Sequence, residues 1–562
     1  MRPSSSRPSM RLSLASGRVL AVALGLVLGA PLVRAQAPPT SAGVDLEMRR
    51  QQERMDRQGA PVRSQEPGVV APPRRALSPL QPGGPAIRLR SVTFEGASTF
   101  LSQEELAEAV APYKGKKVVL ADLQQMVGAI NALYAAKGAS TAIATLPPQD
   151  VKDGVIRVKL TEGRLDKLQV TGNDRTETPF ILARIVAPTG EVLDVPRLSR
   201  DVTWFNRTHD TQVRASLQPG ANFGLTDVNL AVTEAPVNTL QVFTDNQGVD
   251  SVGRIQYGTY YKRSGLLGMD DRLTVYATKS MEAEGNLNGN IAYNLPFNTS
   301  GGRVGVSYTQ GRTRVIHGAY AALKSEGESR TAAINLSQPI WVDEQWLVQG
   351  NLASSHGVSE SSLKDAKTAD TTTAKQTLGL AVTRFGEDYS VNLTPSLNIA
   401  TTRALASPTQ TVAIGNVSAS GFMKLPAGLS LSSLGNGQFT SARPLVGDLL
   451  FQAGGPTTVR GYPSNASAGY GGYYANVELH WNVAEAVAGL DVYAFLDRGE
   501  VFSTFPKHQR LTSAGAGLSW TIWPALTMET FFGVPFNAVL PAQPKHEAYV
   551  RLVMRPLLLW NN

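Results

Sequence analysis

The chain has 562 residues, with 53 Lys and Arg against 45 Asp and Glu, a formal net charge of +8, 52 glycines and no cysteine. The missing thiols exclude disulfides, thiolate metal sites and cysteine catalysis. Five of the positive charges are arginines within the first 34 residues, where no acid stands, so 8 − 5 leaves +3 for the remainder and no electrostatic case for a nucleic-acid partner.

Arg2, Arg7, Arg11 and Arg18 precede an apolar run from Val19 to Leu28, and Val33-Arg34-Ala35 follows as a small-residue cleavage pattern. Residues 1–35 therefore read as a secretory signal peptide, the run being about ten residues where a spanning helix needs about 20. Within 36–60, Ser41 to Gln58 predicts a polar helix ended by Gly59 and Pro61. Its apolar stripe of Val44, Leu46, Met48 and Met55 is too thin to hold it in a core, which leaves a detachable helix or a disordered tail. Residues 61–86 carry Pro61, Pro67, Pro72, Pro73, Pro79, Pro82 and Pro85, the composition of an extended, solvated linker.

From Ile87 to Pro236 strands alternate with helices. Val92 and Phe94 lie on a strand, and Ser102 with Glu105 forms a capping box opening a helix to Ala111. Asp122 is placed as the cap of a second helix from Leu123 to Lys137, with Met126, Ile130, Leu133 and Tyr134 on one face. Strands at Thr141 to Thr145 and Val155 to Thr161 complete a β-α-α-β-β unit over 87–163. A second copy over 164–236 has helices near Thr178 to Ile185 and Val195 to Thr208, then strands Gln212 to Gln218 and Thr226 to Glu234 joined through Pro219-Gly220.

Residues 237–562 fit a hairpin ladder. Asp271 to Ser280 sets Leu273, Val275 and Ala277 on one face and Thr274, Tyr276 and Thr278 on the other, and comparable runs start near Gly302, Thr331, Trp346, Gln376, Tyr389 and Thr411. Such alternation without a long apolar run is the weak signature of an outer-membrane barrel, although several soluble sandwiches share its composition. The last strand, Glu547 to Met554, places Val550, Leu552 and Met554 outward and Tyr549, Arg551 and Val553 inward, but Pro556 interrupts it and the chain ends in Trp560-Asn561-Asn562, which puts the register of closure in question.

Two motifs narrow the reading. Gly454-Gly455-Pro456-Thr457-Thr458 leads into Val459-Arg460-Gly461-Tyr462, a loop tip with a lone guanidinium; an aromatic-rich strand from Gly469 to Trp481 separates it from Phe495-Leu496-Asp497-Arg498-Gly499, where Phe495 and Asp497 share the inward face. Arg460 and Asp497 suit a bidentate contact. These paired motifs resemble the inward-folded sixth loop and the wall motif of two-partner secretion transporters, members of the outer-membrane-assembly superfamily. Leu146-Pro147-Pro148-Gln149-Asp150, Gly154-Val155-Ile156 and Glu162-Gly163-Arg164 resemble the first POTRA domain of those proteins, and Leu217, Pro219-Gly220, Gly224 and Thr226-Asp227-Val228 the second.

The resemblance implies a transmembrane antiparallel β-barrel of about sixteen strands, preceded by two periplasmic α+β POTRA domains and an N-terminal helix lodged in the pore. It implies a monomer in the Gram-negative outer membrane, among lipids and lipopolysaccharide, exporting a large exoprotein of haemagglutinin, haemolysin or contact-dependent toxin type that carries an N-terminal secretion domain. Arg197, Arg200, Trp204, Phe205, Val213 and Leu217 are the candidate cargo-binding groove, with Trp204 or Phe205 as core residues the plainer alternative.

No enzyme, cofactor or metal is expected. His209, His317, His356, His480, His508 and His546 lack ligand spacing and read as solvated or loop residues, and neither a nucleophile elbow nor a phosphate-binding loop occurs. The alternatives are an insertase that assembles other barrels, sharing the loop motif, and a passive porin or adhesin, which would have no use for folded periplasmic domains.

Overall fold

The computed structural model describes residues 41–58, 68–70, 85–318, 321–364, 366–405, 407–483, 487–504 and 506–559. The signal peptide, most of the proline-rich linker and the three terminal residues read above lie outside these ranges. A first helix, α1 (Ser41–Gln58), and a two-residue strand, β1 (Val69–Val70), precede the first α+β module.

That module comprises β2 (Ile87–Arg88), β3 (Ser91–Glu95), α2 (Gln103–Val110), β4 (Lys117–Val118), α3 (Leu120–Ala136), β5 (Ala142–Thr145) and β6 (Val155–Glu162). Ser102 caps α2 through the reciprocal box with Glu105, as its sequence requires. The second helix starts earlier than predicted: Asp122 accepts from the Val119 amide at 2.8 Å from inside the first turn, so it is not the cap residue itself. Leu106, Met126, Ile130 and Tyr134 pack on Ile156 and Val158 in one apolar core.

The second module repeats the order with β7 (Arg164–Thr171), α4 (Thr178–Leu182), α5 (Val195–Thr208), β8 (Gln212–Pro219) and β9 (Leu225–Thr233). Its sheet runs β1-β8-β9-β7, so the linker strand pairs in parallel with β8, Val69 opposite Ala215 and Val70 opposite Ser216. His209 lies in the core of this module and not in solvent, 2% exposed and stacked on Phe205 at 4.4 Å. Burial outweighs the pull of Asp270 and lowers its pKa to about 4.

Sixteen strands then close a barrel in sequence order. They are β10 (Asn238–Asp245), β11 (Gln256–Ser264), β12 (Arg272–Ser280), β13 (Asn286–Pro296), β14 (Arg303–Arg314), β15 (Ser325–Val342), β16 (Trp346–Leu363), β17 (Ala366–Phe385), β18 (Tyr389–Ala404), β19 (Gln410–Lys424) and β20 (Leu429–Phe439), followed by β23 (Gly471–Asn482), β24 (Leu490–Phe502), β25 (His508–Trp523), β26 (Leu526–Pro535) and β27 (Glu547–Met554). Between β20 and β23 a long loop carries the small ladder of β21 (Phe451–Ala453) with β22 (Ser467–Gly469).

Register separates the two faces. Val304, Leu336, Leu352, Leu378 and Leu397 stand opposite one another across β14 to β18, and all but Val304 are well exposed, an apolar belt for hydrocarbon. Closure is short: β27 meets β10 over four pairs, Val242 to Asp245 against Met554 to Arg551. Pro556 begins a short 3-10 turn, so β27 ends there, and the buried Arg551 Nε donates to Asp245 at 2.8 Å across the seam.

Candidate functional site

The loop between β20 and β23 turns into the lumen because its backbone takes conformations only glycine holds easily. Gly454 and Gly455 have φ near 105°, and a Cβ on Gly454 would meet Pro463 O at 2.7 Å. At the tip Gly461 (φ 85°) lies against Gly533 of β26, where a Cβ would come within 3.0 Å of the strand backbone, so the tip rests directly on the barrel wall.

This contact delivers Arg460, 6% exposed, to Asp497, fully buried on β24. Arg460 Nε donates to Asp497 Oδ2 at 2.8 Å and Nη2 to Oδ1 at 2.7 Å, the bidentate fork, while the Arg460 amide adds a third bond at 2.9 Å. The guanidinium also sits 3.7 Å from the Phe495 ring centroid, a cation–π contact in a desolvated site. Val459 packs with Phe451, Tyr474, Val501 and Leu511, and Gly499 leaves room for it, since a Cβ there would lie 2.9 Å from Val459 Cγ2. The Tyr462 hydroxyl lies 2.9 Å from Asn537 Oδ1 and 3.0 Å from the Thr512 amide, donating to the first and accepting from the second.

Sequence reasoning missed two members. Glu478, inward on β23, takes Arg460 Nη1, and its other oxygen is 3.0 Å from His480 Nε2, whose Nδ1 is 2.7 Å from Asp491. The signal was present, because Asn476, Glu478 and His480 alternate along one strand face, but only the loop shows which partner reaches them. His480 is thus a second exception to the expectation of solvated histidines.

Inside the barrel α1 is held by polar contacts more than by its thin apolar stripe. Glu47, 3% exposed, accepts from Thr457 Oγ1 at 2.8 Å, three residues before the lock arginine. Gln256 Nε2 donates to Gln51 Oε1 at 3.1 Å, Gln52 donates to Asn290 at 3.1 Å, and Arg54 reaches Glu529 at 3.3 Å. Met55 is the one described apolar anchor fully buried, among Phe243, Tyr260, Tyr276 and Val553.

The six candidate groove residues do not come together. Phe205, Val213 and Leu217 are at most 3% exposed in the core of the second module, and the Val213 amide donates to Asn206 Oδ1 at 2.7 Å, so that part of the groove is corrected to core. Helix α5 has one apolar face, and sequence could not tell its core side from a binding side. Arg197 and Arg200 are exposed, while Trp204 Nε1 donates at 3.0 Å to Ser300 O in the turn before β14. Arg207, over the Phe385 ring at 3.8 Å, and Arg184, donating to Asn298 O at 2.7 Å, fasten the same module to the barrel rim. The β8 edge carries β1.

Comparison with known proteins agrees with this architecture. The family model described as haemolysin secretion/activation protein ShlB/FhaC/HecB matches residues 224–521, and that of the ShlB-type POTRA domain matches 87–163. The chain is 25% identical over 472 residues to the outer membrane transporter CdiB of Dickeya dadantii, covering 80% of this chain and 81% of that protein. It is 22% identical over 484 residues to the heme/hemopexin transporter protein HuxB of Haemophilus influenzae, covering 80% and 84%. The solved structure of CdiB from Escherichia coli superposes with a TM-score of 0.70 at 22% identity, over 92% of this chain and 99% of that one, a likeness of fold.

Proposed function

The chain belongs to the ShlB/FhaC/HecB family of haemolysin secretion/activation proteins, and from that membership we propose that it exports one large exoprotein through its own barrel. It is an outer-membrane transporter of two-partner secretion type, with the POTRA modules on the periplasmic side. The observation that carries the export reading is the inward loop: its tip is locked by Arg460 to the wall and its stem is bonded to a polar helix inside the lumen, so opening needs both to shift. A passive porin has no use for such a latch. The insertase reading shares the loop motif, but the matched family is one of secretion.

One relative is named a heme/hemopexin transporter, so a heme- or hemopexin-related exoprotein joins the haemagglutinin, haemolysin and contact-dependent toxin types as candidate cargo. With Phe205, Val213 and Leu217 in a core, the surface left for first contact with cargo is the outer face of α5. There Arg200 and Trp204 border a cleft of about 950 Å3 with Lys137, Trp341 and Asp343. The chain acts as a monomer among outer-membrane lipids, with domain divisions near 86, 163 and 236. Deleting the gene in its host should abolish appearance of one large exoprotein in the medium and leave other barrel proteins at normal abundance. A general loss of outer-membrane proteins would instead favour the insertase.

A further inference from the structure

The lumen wall is chemically divided. On β23, β24, β26, β27 and β10, inward positions carry Glu478, His480, Asp497, Glu529, Arg551 and Asp245, largely engaged in ion pairs. Across the lumen, the registers of β15 to β20 turn hydroxyls and carboxamides inward. Thr331, Ser355, Thr373, Ser396, Ser418 and Ser432 represent one strand each. The charged side chains at inward positions of these six strands are Lys375 and, at the periplasmic end of β19, Lys424. Space already lies along this wall: a cavity of about 370 Å3 separates it from α1, and one of about 940 Å3 separates it from α1 and the loop tip.

We propose that the hydroxyl and carboxamide wall of β15 to β20 is the surface along which an extended, unfolded polypeptide crosses, and that its neutrality makes passage independent of cargo sequence. The inference rests on the export reading and locates the path within it. A chain leaving bulk water must keep partners for its amides and carbonyls. Serine, threonine and asparagine both donate and accept, so one wall serves either group and any register, and each bond can pass to the next position at equal strength. A fixed charge in a confined lumen would instead hold segments of opposite sign and repel those of like sign. Movement of α1 and the loop tip would join the two cavities into one conduit on this side and leave the ion-paired half as its rigid back.

The absence of cysteine makes single-cysteine probes clean. Ser418→Cys on the neutral wall and Thr274→Cys, inward on β12, should each be made in the full chain and reconstituted in bilayers. Modification by a water-soluble maleimide is followed with and without an unfolded, neutral Gly/Ser-rich peptide on the periplasmic side. The peptide should slow modification of Ser418→Cys several-fold and leave Thr274→Cys unchanged. Equal protection at both sites, protection at Thr274→Cys alone, or none at either overturns the assignment. Placing aspartates at Ser396 and Ser418 should make a lysine-rich peptide protect a nearby Asn436→Cys far longer than the neutral peptide, whereas the unsubstituted wall should treat the two peptides alike; a wall that treats them alike after the change also overturns it. Secretion in cells is read in parallel. Failure of the unsubstituted chain to secrete would sink the export reading, while normal secretion without protection at Ser418→Cys sinks only the wall.

Discussion

Arg460 holds three carboxylate contacts at once, two to Asp497 and one to Glu478, and both acids are inward on neighbouring strands. Removing the guanidinium leaves Asp497, wholly buried, without its cationic partner, a local cost of about 3–5 kcal/mol. Arg460→Ala should sharply reduce exoprotein secretion at equal abundance of inserted barrel, measured as cargo in the medium. Arg460→Lys should not rescue it, because an ammonium lacks the planar fork that spans both Asp497 oxygens while reaching Glu478. Unimpaired secretion by Arg460→Ala would rule out the lock as part of the export cycle.

His209 carries a pH signature. Its folded-state pKa of about 4 lies below the 6.5 of an ordinary histidine, so the unfolded module binds more protons between those values. Stability is therefore full above pH 6.5 and is lost as pH falls toward 4, by about 3 kcal/mol at the acid limit. Amide protection in the second module, corrected for intrinsic exchange, should drop over that window in the full-length protein, and His209→Phe should flatten the drop. Glu234, which accepts hydrogen bonds from Thr176 and Arg175 that hold it below the usual carboxylate range despite burial, loses its contribution only at pH below 4.5, so an equal drop in the variant between pH 6.5 and 4.5 would rule out His209 as its source.

Among the elements, α1 shows how periodicity can be right about a helix and incomplete about how it docks. Its apolar stripe suggested weak attachment; the structure attaches it through Glu47, Gln51, Gln52 and Arg54. Such contacts exchange for water at little net loss, about 0.5–1.5 kcal/mol each, which suits a removable plug better than an apolar face would. Deleting residues 41–58 should raise single-channel conductance in planar bilayers while the barrel stays closed, and an unchanged conductance would mean that the helix does not occlude the pore. The strand β1 was not foreseen, because two valines in a proline-rich linker carry no strand period. Their parallel pairing with β8 is extended by Gly68 O, which accepts from the Ala215 amide at 2.8 Å, and deleting residues 68–70 should speed hydrogen exchange at that amide.

At the scale of the whole molecule the weakest join is the seam. Every other pair of neighbouring barrel strands is registered over at least eight residues, whereas β10 and β27 share four. The Asp245 to Arg551 pair, with Nη2 at 2.7 Å and both side chains almost wholly buried, compensates for part of the missing ladder. Arg551→Ala should lower the temperature at which the folded barrel loses its compact mobility on a semi-native gel, and by more than Arg498→Ala, an exposed change elsewhere on the wall. If the two variants melt together, closure does not depend on the pair.

Features local in the chain were settled by the sequence itself: the capping box at Ser102 and the period-two faces of Asp271 to Ser280 and Glu547 to Met554. Each depends on spacing within a few residues, and backbone geometry converts such spacing directly into a face or a cap. The strand number came from family resemblance, since turns and long loops blur the count. Only tertiary structure decided that Glu478 completes the lock, that Phe205 and Val213 are core while Trp204 grips the barrel rim, and that β1 covers the β8 edge. Those outcomes join residues far apart in sequence, and an apolar or charged side chain there is compatible with several partners until the closing of the barrel and the docking of the second module fix which one lies within reach.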